Sequence, residues 1–588
     1  MSLLVLRQLL KVTGGACLWL AAANMGLPSV ALAQSVPGVS PPPPRSLPGE
    51  ALPDDRPDDT LPAEPFPVLP PPEDLLPDTP LAPVLPDSPT PGDAAFFVNE
   101  IEVVGSTAFS QEDFAEILDR YRGREVSFAE LLELRSEITQ FYVDRGFVTS
   151  GAFIPPQTVE DDIVKVQVIE GELEDIVIRG THRLSPAYVR SRIGLVASPP
   201  LNVDELLEGL QRLQIDPLIE TISADLQAGV RPGTSLLVIE LTEADSFAVT
   251  GDIANRRSPN IGGVERQISV SENNLLGIGD QIVLEYSDTD GSGGVDLSYT
   301  VPLSPNNDTL QLRGGFSNSR VIDSVFSVLD ISSDSYYADL TYRHPFIESP
   351  TEELAAGLTF SYQENQTSLG IDDIGPFPLS PGADDNGITS VTALRFFQEW
   401  TQRSPKHVLA LRSQFNLGVD WLGATDNDAA PDSEFFSWRG QGQWVQLLGK
   451  DALFFLRGDV QIATDAMLSQ EQFGVGGQQS VRGYRQDTLL RDSGALLSAE
   501  LRFPVLRVPE WEGVLQVTPF LDAGTGWNFR GNPPGPDVLV GTGLGLLWQQ
   551  GDDFSARFDW GIPLVDFDDL GDSFQDNGFY FSVRYTPF

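Results

Sequence analysis

From Phe247 to the final Phe588 the sequence keeps a two-residue rhythm. In GFYFSVRYTPF, Phe579, Phe581, Val583 and Tyr585 fall on one side, and Tyr580, Ser582, Arg584 and Thr586 on the other. SARFDWGI sets Phe558 and Trp560 against Arg557 and Asp559. ALLSAELRF sets Leu497, Ala499, Leu501 and Phe503 against Ser498, Glu500 and Arg502. Side chains of a β-strand point alternately to its two faces, so such segments are strands with one apolar and one polar face. Alternation alone fits a soluble sandwich or a membrane barrel.

Three features favour the barrel. Connections alternate between tight (LLGIGD, LGKD, QQGDD) and long (SRVIDSVFSVLDISSDS, the segment Gly370–Gly387, and EQFGVGGQQSVRGYRQDTLLRDS from Glu471 to Ser493), as in barrels with short inner turns and long outer loops. Sixteen such segments can be counted, an even number, which lets an antiparallel barrel close with both ends on one side. Aromatic residues gather at segment ends, as at membrane interfaces. The expected fold is an all-β, 16-stranded antiparallel transmembrane barrel over residues 244–588, with Glu500, Arg502, Arg557, Asp559 and Arg584 lining its lumen.

The strand VLQVTPFLDAGTGW turns Phe520, Asp522 and Gly524 to the lumen, and the next places Gly541, Gly543 and Gly545 there. Glycines weaken a strand unless another backbone approaches closely. Two placements of the long loop are open. Folded into the barrel, it lays Arg482 against Asp522 and Tyr484 on the glycine strip; outside, Arg482 meets water or a rim carboxylate.

Residues 1–33 read as a secretory signal: Arg7 and Lys11, an apolar stretch, then Ala31-Leu32-Ala33. A lipoprotein signal at Cys17, the only cysteine, is the rival reading. Residues 34–95 read as a disordered, partly polyproline-II, acidic spacer; residues 35–95 carry 20 of the 46 prolines, which excludes helix interiors and sheet ladders. Residues 96–173 and 174–243 each read β-α-α-β-β, one supersecondary unit used twice. The first has helical segments QEDFAEILDRYRG and FAELLELRSEITQFYVDRG, with Leu131, Leu134, Ile138, Phe141 and Tyr142 on one face.

The net charge of −47 argues against nucleic acid as a partner. DTDGSGGVD (Asp288–Asp296) has the composition of a calcium loop but fits a strand-connecting turn. His182, His344 and His407 are scattered, so neither a metal site, a catalytic triad nor a cofactor is expected, and the chain does not read as an enzyme.

Val481-Arg482-Gly483-Tyr484 with Phe520-x-Asp522-x-Gly524 resembles the paired loop and strand motifs of the BamA-like superfamily of outer-membrane barrels. NNLLGIGD (Asn273–Asp280) resembles its first inner turn, and the two β-α-α-β-β units resemble POTRA domains. YVDRGFVTSGAFIPPQ, with Tyr142, Gly146, Pro155 and Gln157, is similar to the first POTRA of two-partner secretion transporters, the ShlB/FhaC/HecB family. The resemblance implies an outer-membrane translocase that captures an unfolded exoprotein in the periplasm and exports it through the barrel. The implied partners are a secreted, β-helical TpsA-like exoprotein, outer-membrane lipid with lipopolysaccharide, and the machinery that inserts barrels. It implies a lock made by Arg482 and Asp522, supported by Gly483, Tyr484, Phe520 and Gly524. It also implies a cargo groove on the first module at Leu131, Leu134, Ile138, Phe141 and Phe153. Where members of that family can carry an amino-terminal plug helix, this sequence is proline-rich and a long helix is not expected. A barrel assembly factor is the alternative function, and a passive porin a more remote one.

Overall fold

The computed structural model describes Leu75 and residues 95–587, apart from 160, 324–325, 450, 532–534 and 567–570. The signal, its cleavage site and the spacer other than Leu75 and Ala95 lie outside the described residues.

The first module comprises β1 (Ala95–Val98), β2 (Glu100–Val104), α1 (Ala115–Leu118), β3 (Arg124–Ser127), α2 (Phe128–Val143), β4 (Gly151–Phe153) and β5 (Ile163–Ile169). Its main sheet runs β2-β5-β4, with β2 parallel to β5, while β1 and β3 pair separately. Helix α2 starts at a capping box. The Ser127 hydroxyl accepts from the Glu130 amide, and the Glu130 carboxylate accepts from the Ser127 amide. Leu131, Leu134, Ile138 and Tyr142 then recur at helical spacing and bury one stripe in the core.

The other expected helix, over 111–123, is a single turn. The amides of Arg120 and Tyr121 bond back three residues, to Ile117 and Leu118, and Gly123, at φ +69°, gives its N–H to the Val98 carbonyl. The chain tightens and is diverted into β3.

The second module comprises β6 (Glu172–Arg179), α3 (Pro186–Val196), α4 (Val203–Gln214), β7 (Ile219–Ala228) and β8 (Thr234–Glu243), in sheet order β6-β8-β7. Ser185 and Asn202 cap its two helices. Leu75 is buried in this module's core with Val189, Ile193, Leu206 and Leu210. The modules meet at the YVDRG motif. The Val203 amide donates to the Gly146 carbonyl at 2.9 Å, and a Cβ at Gly146 would collide with Asn202. In the same motif region the Gln157 amide bridges both main-chain groups of Lys165, acting as a further strand rung beyond β4.

The barrel strands are β9 (Phe247–Ala254), β10 (Glu265–Glu272), β11 (Gln281–Asp288), β12 (Ser292–Pro302), β13 (Thr309–Arg320), β14 (Ile331–Glu348) and β15 (Glu352–Leu369). After a two-residue strand β16 (Gly375–Pro376) come β17 (Ile388–Arg403), β18 (His407–Val419), β19 (Phe436–Leu448) and β20 (Ala452–Ala463). The hairpin β21 (Phe473–Val475) and β22 (Leu489–Arg491) lies in the long loop. The ring is completed by β23 (Ser493–Val508), β24 (Gly513–Trp527), β25 (Val538–Gln550), β26 (Phe554–Pro563) and β27 (Phe579–Tyr585). Leaving out β16, which pairs only with β15, sixteen antiparallel strands close the barrel. β27 meets β9 only over Ser582–Tyr585 against Gly251–Ala254. Large apolar side chains such as Leu497, Leu521, Leu544, Phe558 and Trp560 are exposed on the outer face, as hydrocarbon surroundings require. Among the described residues no helix is long and apolar enough to cross a membrane.

The second module docks on the first inner turn. Arg183 reaches Glu272 at 3.0 Å and the Asn274 carbonyl at 3.2 Å, and the Ser185 amide donates to the Gly277 carbonyl. Gly277 and Gly279 both have positive φ, and a side chain at either would strike this module, at Arg183 or Tyr188. Of the segment DTDGSGGVD only Thr289–Gly291 links β11 to β12, and the rest lies within the two strands. Among the described residues no cluster of His, Cys, Asp and Glu could hold a metal.

Candidate functional site

The loop from Thr464 to Asp492 lies inside the barrel, and its centre is Arg482. The Arg482 side chain donates from Nε to Asp522 Oδ2 at 2.8 Å, from Nη2 to Asp522 Oδ1 at 3.0 Å, and from Nη1 to Glu500 Oε2 at 2.7 Å. Its amide also donates to Asp522, as does the Ser498 hydroxyl. The guanidinium lies 3.4 Å from the Phe520 ring centre, in cation–π contact.

Asp522 is on β24 because the strand's alternation sends Phe520, Asp522 and Gly524 inward together. Glu500 and Arg502 come from β23, and Arg557 and Asp559 from β26. Arg557 donates to Glu500 at 2.6 Å and to Asp559 at 2.7 Å; Arg502 donates to Glu500 at 2.9 Å. Three guanidinium groups (Arg482, Arg502, Arg557) thus interleave with three carboxylates (Glu500, Asp522, Asp559), and the cluster is charge-balanced. Balance matters because an unpaired charge withdrawn from water is costly.

The neighbouring residues fit the backbone of the loop. Gly483 has φ +107°, a conformation open to glycine, and its N–H donates to the Tyr580 hydroxyl at 2.8 Å. That hydroxyl donates to the Tyr484 carbonyl at 2.6 Å. The Tyr484 hydroxyl lies 2.9 Å from the Val540 carbonyl and 3.0 Å from that of Val565. A Cβ at Gly541 would run into the Arg482 carbonyl, and one at Gly524 into Val475 and Val481. Within the glycine strip, Gly541 thus receives the main chain of Arg482, Gly543 faces the Phe520 ring and the Trp560 carbonyl, and Gly545 faces Asp559 and Thr518; the ring of Tyr484 does not rest on it. Phe473, Val475, Val481, Tyr484 and Leu489 close over Leu496 and Leu539 as an apolar cluster.

Glu500, Arg502, Arg557 and Asp559 face inward and are buried against one another and the loop rather than bathed by an open channel. Arg584 stands apart, 3.9 Å from Asp252 at the β27–β9 seam. Sequence reasoning did not single out Tyr580 or Ser498 as site residues. Tyr580 carried the same signal as Phe520, an aromatic on the polar side of its strand.

The cargo groove expected on the first module needs correction. Leu131, Leu134 and Ile138 are at most 2 % exposed. Their stripe of α2 is the face that packs on the sheet, so no bound chain can reach them. Phe141 and Phe153 keep accessible surface. Phe141 is clasped between Phe109, Phe114 and the Arg145 guanidinium.

Comparison with known proteins agrees with this architecture. The profile of the family described as "Haemolysin secretion/activation protein ShlB/FhaC/HecB" matches residues 233–547, and that of "POTRA domain, ShlB-type" matches 96–171. The outer membrane transporter CdiB of Dickeya dadantii is 23% identical over 441 residues, covering 70% of this chain and 73% of the relative. The heme/hemopexin transporter protein HuxB of Haemophilus influenzae is 22% identical over 429 residues, covering 71% and 74%. Among solved structures, CdiB from Escherichia coli superposes with a TM-score of 0.63 at 20% identity, covering 86% of this chain and 93% of that one. BamA from Haemophilus ducreyi lacking POTRA domains 1–3 gives 0.52 at 16%, covering 84% and 100%, a likeness of fold. With a profile match over more than half its length, two periplasmic β-α-α-β-β modules and a closed sixteen-stranded barrel, the chain belongs to the ShlB/FhaC/HecB family and is an outer-membrane translocase of two-partner secretion.

Proposed function

We propose that the loop centred on Arg482 is the element that keeps the translocation path shut, and that the exported partner is a large β-helical exoprotein captured unfolded by the periplasmic modules. The observation that carries the first half is the burial of Arg482, 5 % exposed, among Asp522, Glu500 and Asp559. Gly483, Tyr484, Phe520 and Gly524 serve as its supports, and none of these residues performs bond chemistry. Passage of a polypeptide requires the loop to leave this position, so the lock must be strong enough to hold and local enough to release.

Capture falls to sheet edges. In the second module β7 is a ten-residue edge strand, whereas β4 in the first is three residues long. Strand addition along β7 gives an extended cargo main-chain hydrogen bonds, with side-chain pockets on alternate positions. Phe141 and Phe153 remain as apolar contacts on the first module.

The test is export of the cognate exoprotein by Arg482→Ala in whole cells. Export is expected to fall while the barrel still inserts, since removing one partner of a buried pair costs about 3–5 kcal/mol. The exchange Arg482→Asp with Asp522→Arg is expected to recover part of it. Undiminished export by Arg482→Ala would remove the lock from the mechanism.

A further inference from the structure

The loop carries a second buried ion pair at its root. Glu471 accepts from Arg395 twice, Nη2 to Oε1 at 2.7 Å and Nη1 to Oε2 at 3.0 Å, with both side chains 4–5 % exposed. Two parallel bonds between a guanidinium and a carboxylate fix orientation as well as distance. The same root is held by further contacts. Gln470 reaches Thr389 Oγ1 at 2.9 Å, and Gln461 reaches the Glu471 carbonyl at 2.8 Å. Met467 and Leu468 pack on Val391, Ala393 and Phe435.

The positions of these contacts around the ring matter more than their number. Arg395 and Thr389 are on β17, the eighth barrel strand. Asp522 is on the thirteenth, Asp559 on the fifteenth, and Tyr580, which holds Gly483 and Tyr484, on the sixteenth. Counted from the eighth strand, the carboxylates that hold Arg482 are four (Glu500), five (Asp522) and seven (Asp559) strands away and Tyr580 is eight, so the tip is held between a quarter and half of the ring from Arg395. Between the two sets of contacts lie Gly476 and Gly477, at φ +119° and +103°, the natural place for the chain to bend.

We propose that Glu471 and Arg395 form a second fastening, which pins the loop's root to one part of the wall while Arg482 pins its tip to another, at least a quarter of the ring away, so that the loop bars the lumen between two anchors and is released at the tip, turning about Gly476–Gly477. Glu471 and Arg395 are positioning residues: they act on the path through the loop. The bland account is that Glu471 merely neutralises a buried arginine of the wall. That account predicts altered stability without altered gating.

The experiment is single-channel recording of the purified full-length chain in planar lipid bilayers, with heat-modifiable electrophoretic mobility as the check of barrel folding. Glu471→Ala is expected to open on the order of ten times more often than the parent, the size of a typical coupling between contacting residues. The exchange Glu471→Arg with Arg395→Glu is expected to return openings toward the parent frequency. Parent-like openings in Glu471→Ala, or an exchange variant as open as Glu471→Ala, would overturn the second fastening. If neither variant folds, the pair is a requirement of barrel assembly and its gating role is likewise overturned. No cargo is used, so this result is separate from the export reading.

Discussion

At the scale of single residues, the site is governed by the absence of side chains as much as by their presence. The Arg482 carbonyl occupies the place a Cβ on Gly541 would take. Gly541→Ala should therefore dislodge the loop without touching any charge. The expected outcome is a channel opening more often in bilayers while the barrel keeps its heat-modifiable mobility. The pairing of Arg482 with Asp522 could be proposed from sequence because each residue broke its local pattern: a cation in a glycine-rich loop, an acid beside a phenylalanine on a lumen face. Glu471 and Arg395 gave no such sign. A glutamate at the start of a polar loop and an arginine on the polar side of a strand are ordinary in their settings, and their 76-residue separation is bridged only by barrel closure. The cargo groove that the resemblance implies at Leu131, Leu134 and Ile138 is closed because their helical stripe is the one that packs on the module's own sheet.

At the scale of elements, the joint between the second module and the barrel depends on a carboxylate cap. Glu243, the last residue of β8, accepts from the amides of His182, Arg183 and Leu184. Burial works to raise its pKa, but those three donors, bonded to the charged form, outweigh it and hold the carboxyl below its ordinary 4.5. A depressed carboxylate contributes stability above its unfolded pKa and loses it as pH falls through the folded one. The protection factors of the His182–Leu184 amides, measured against the intrinsic rate at each pH, should thus be high at neutral pH and fall as acidification passes below 4.5, and should be reduced in Glu243→Gln at neutral pH. The elements themselves were well marked in sequence. The capping box at Ser127, Pro186 at a helix start and the alternation of the strands are local signals with local causes. The shortening of the helix expected over 111–123 to the single turn Ala115–Leu118 was not so marked, because the residues that follow, Arg124–Ser127, are claimed by a strand partner, β1, that periodicity cannot see.

At the scale of the whole molecule, capture and passage are assigned to different parts of one chain, and the parts should be separable. A chain lacking residues 96–243 is expected to insert as a barrel and to export nothing, read as exoprotein absent from the medium with the barrel present in the outer membrane. Export by the shortened chain would mean that the periplasmic modules are dispensable and that capture does not fall to them. The barrel was legible because an even count of alternating strands with short and long links admits few closures. The loop's course across the lumen was not, since no local rule specifies how a long segment lies within a ring.

The wall of that ring is uneven. Where β14 and β15 run side by side for most of eighteen residues each, the first and last strands share only Gly251–Ala254 and Ser582–Tyr585. A cylinder stitched so unequally has a preferred line of parting. Any strain raised by a bulky passenger would concentrate there, leaving the stoutly laced half to act as a rigid spine.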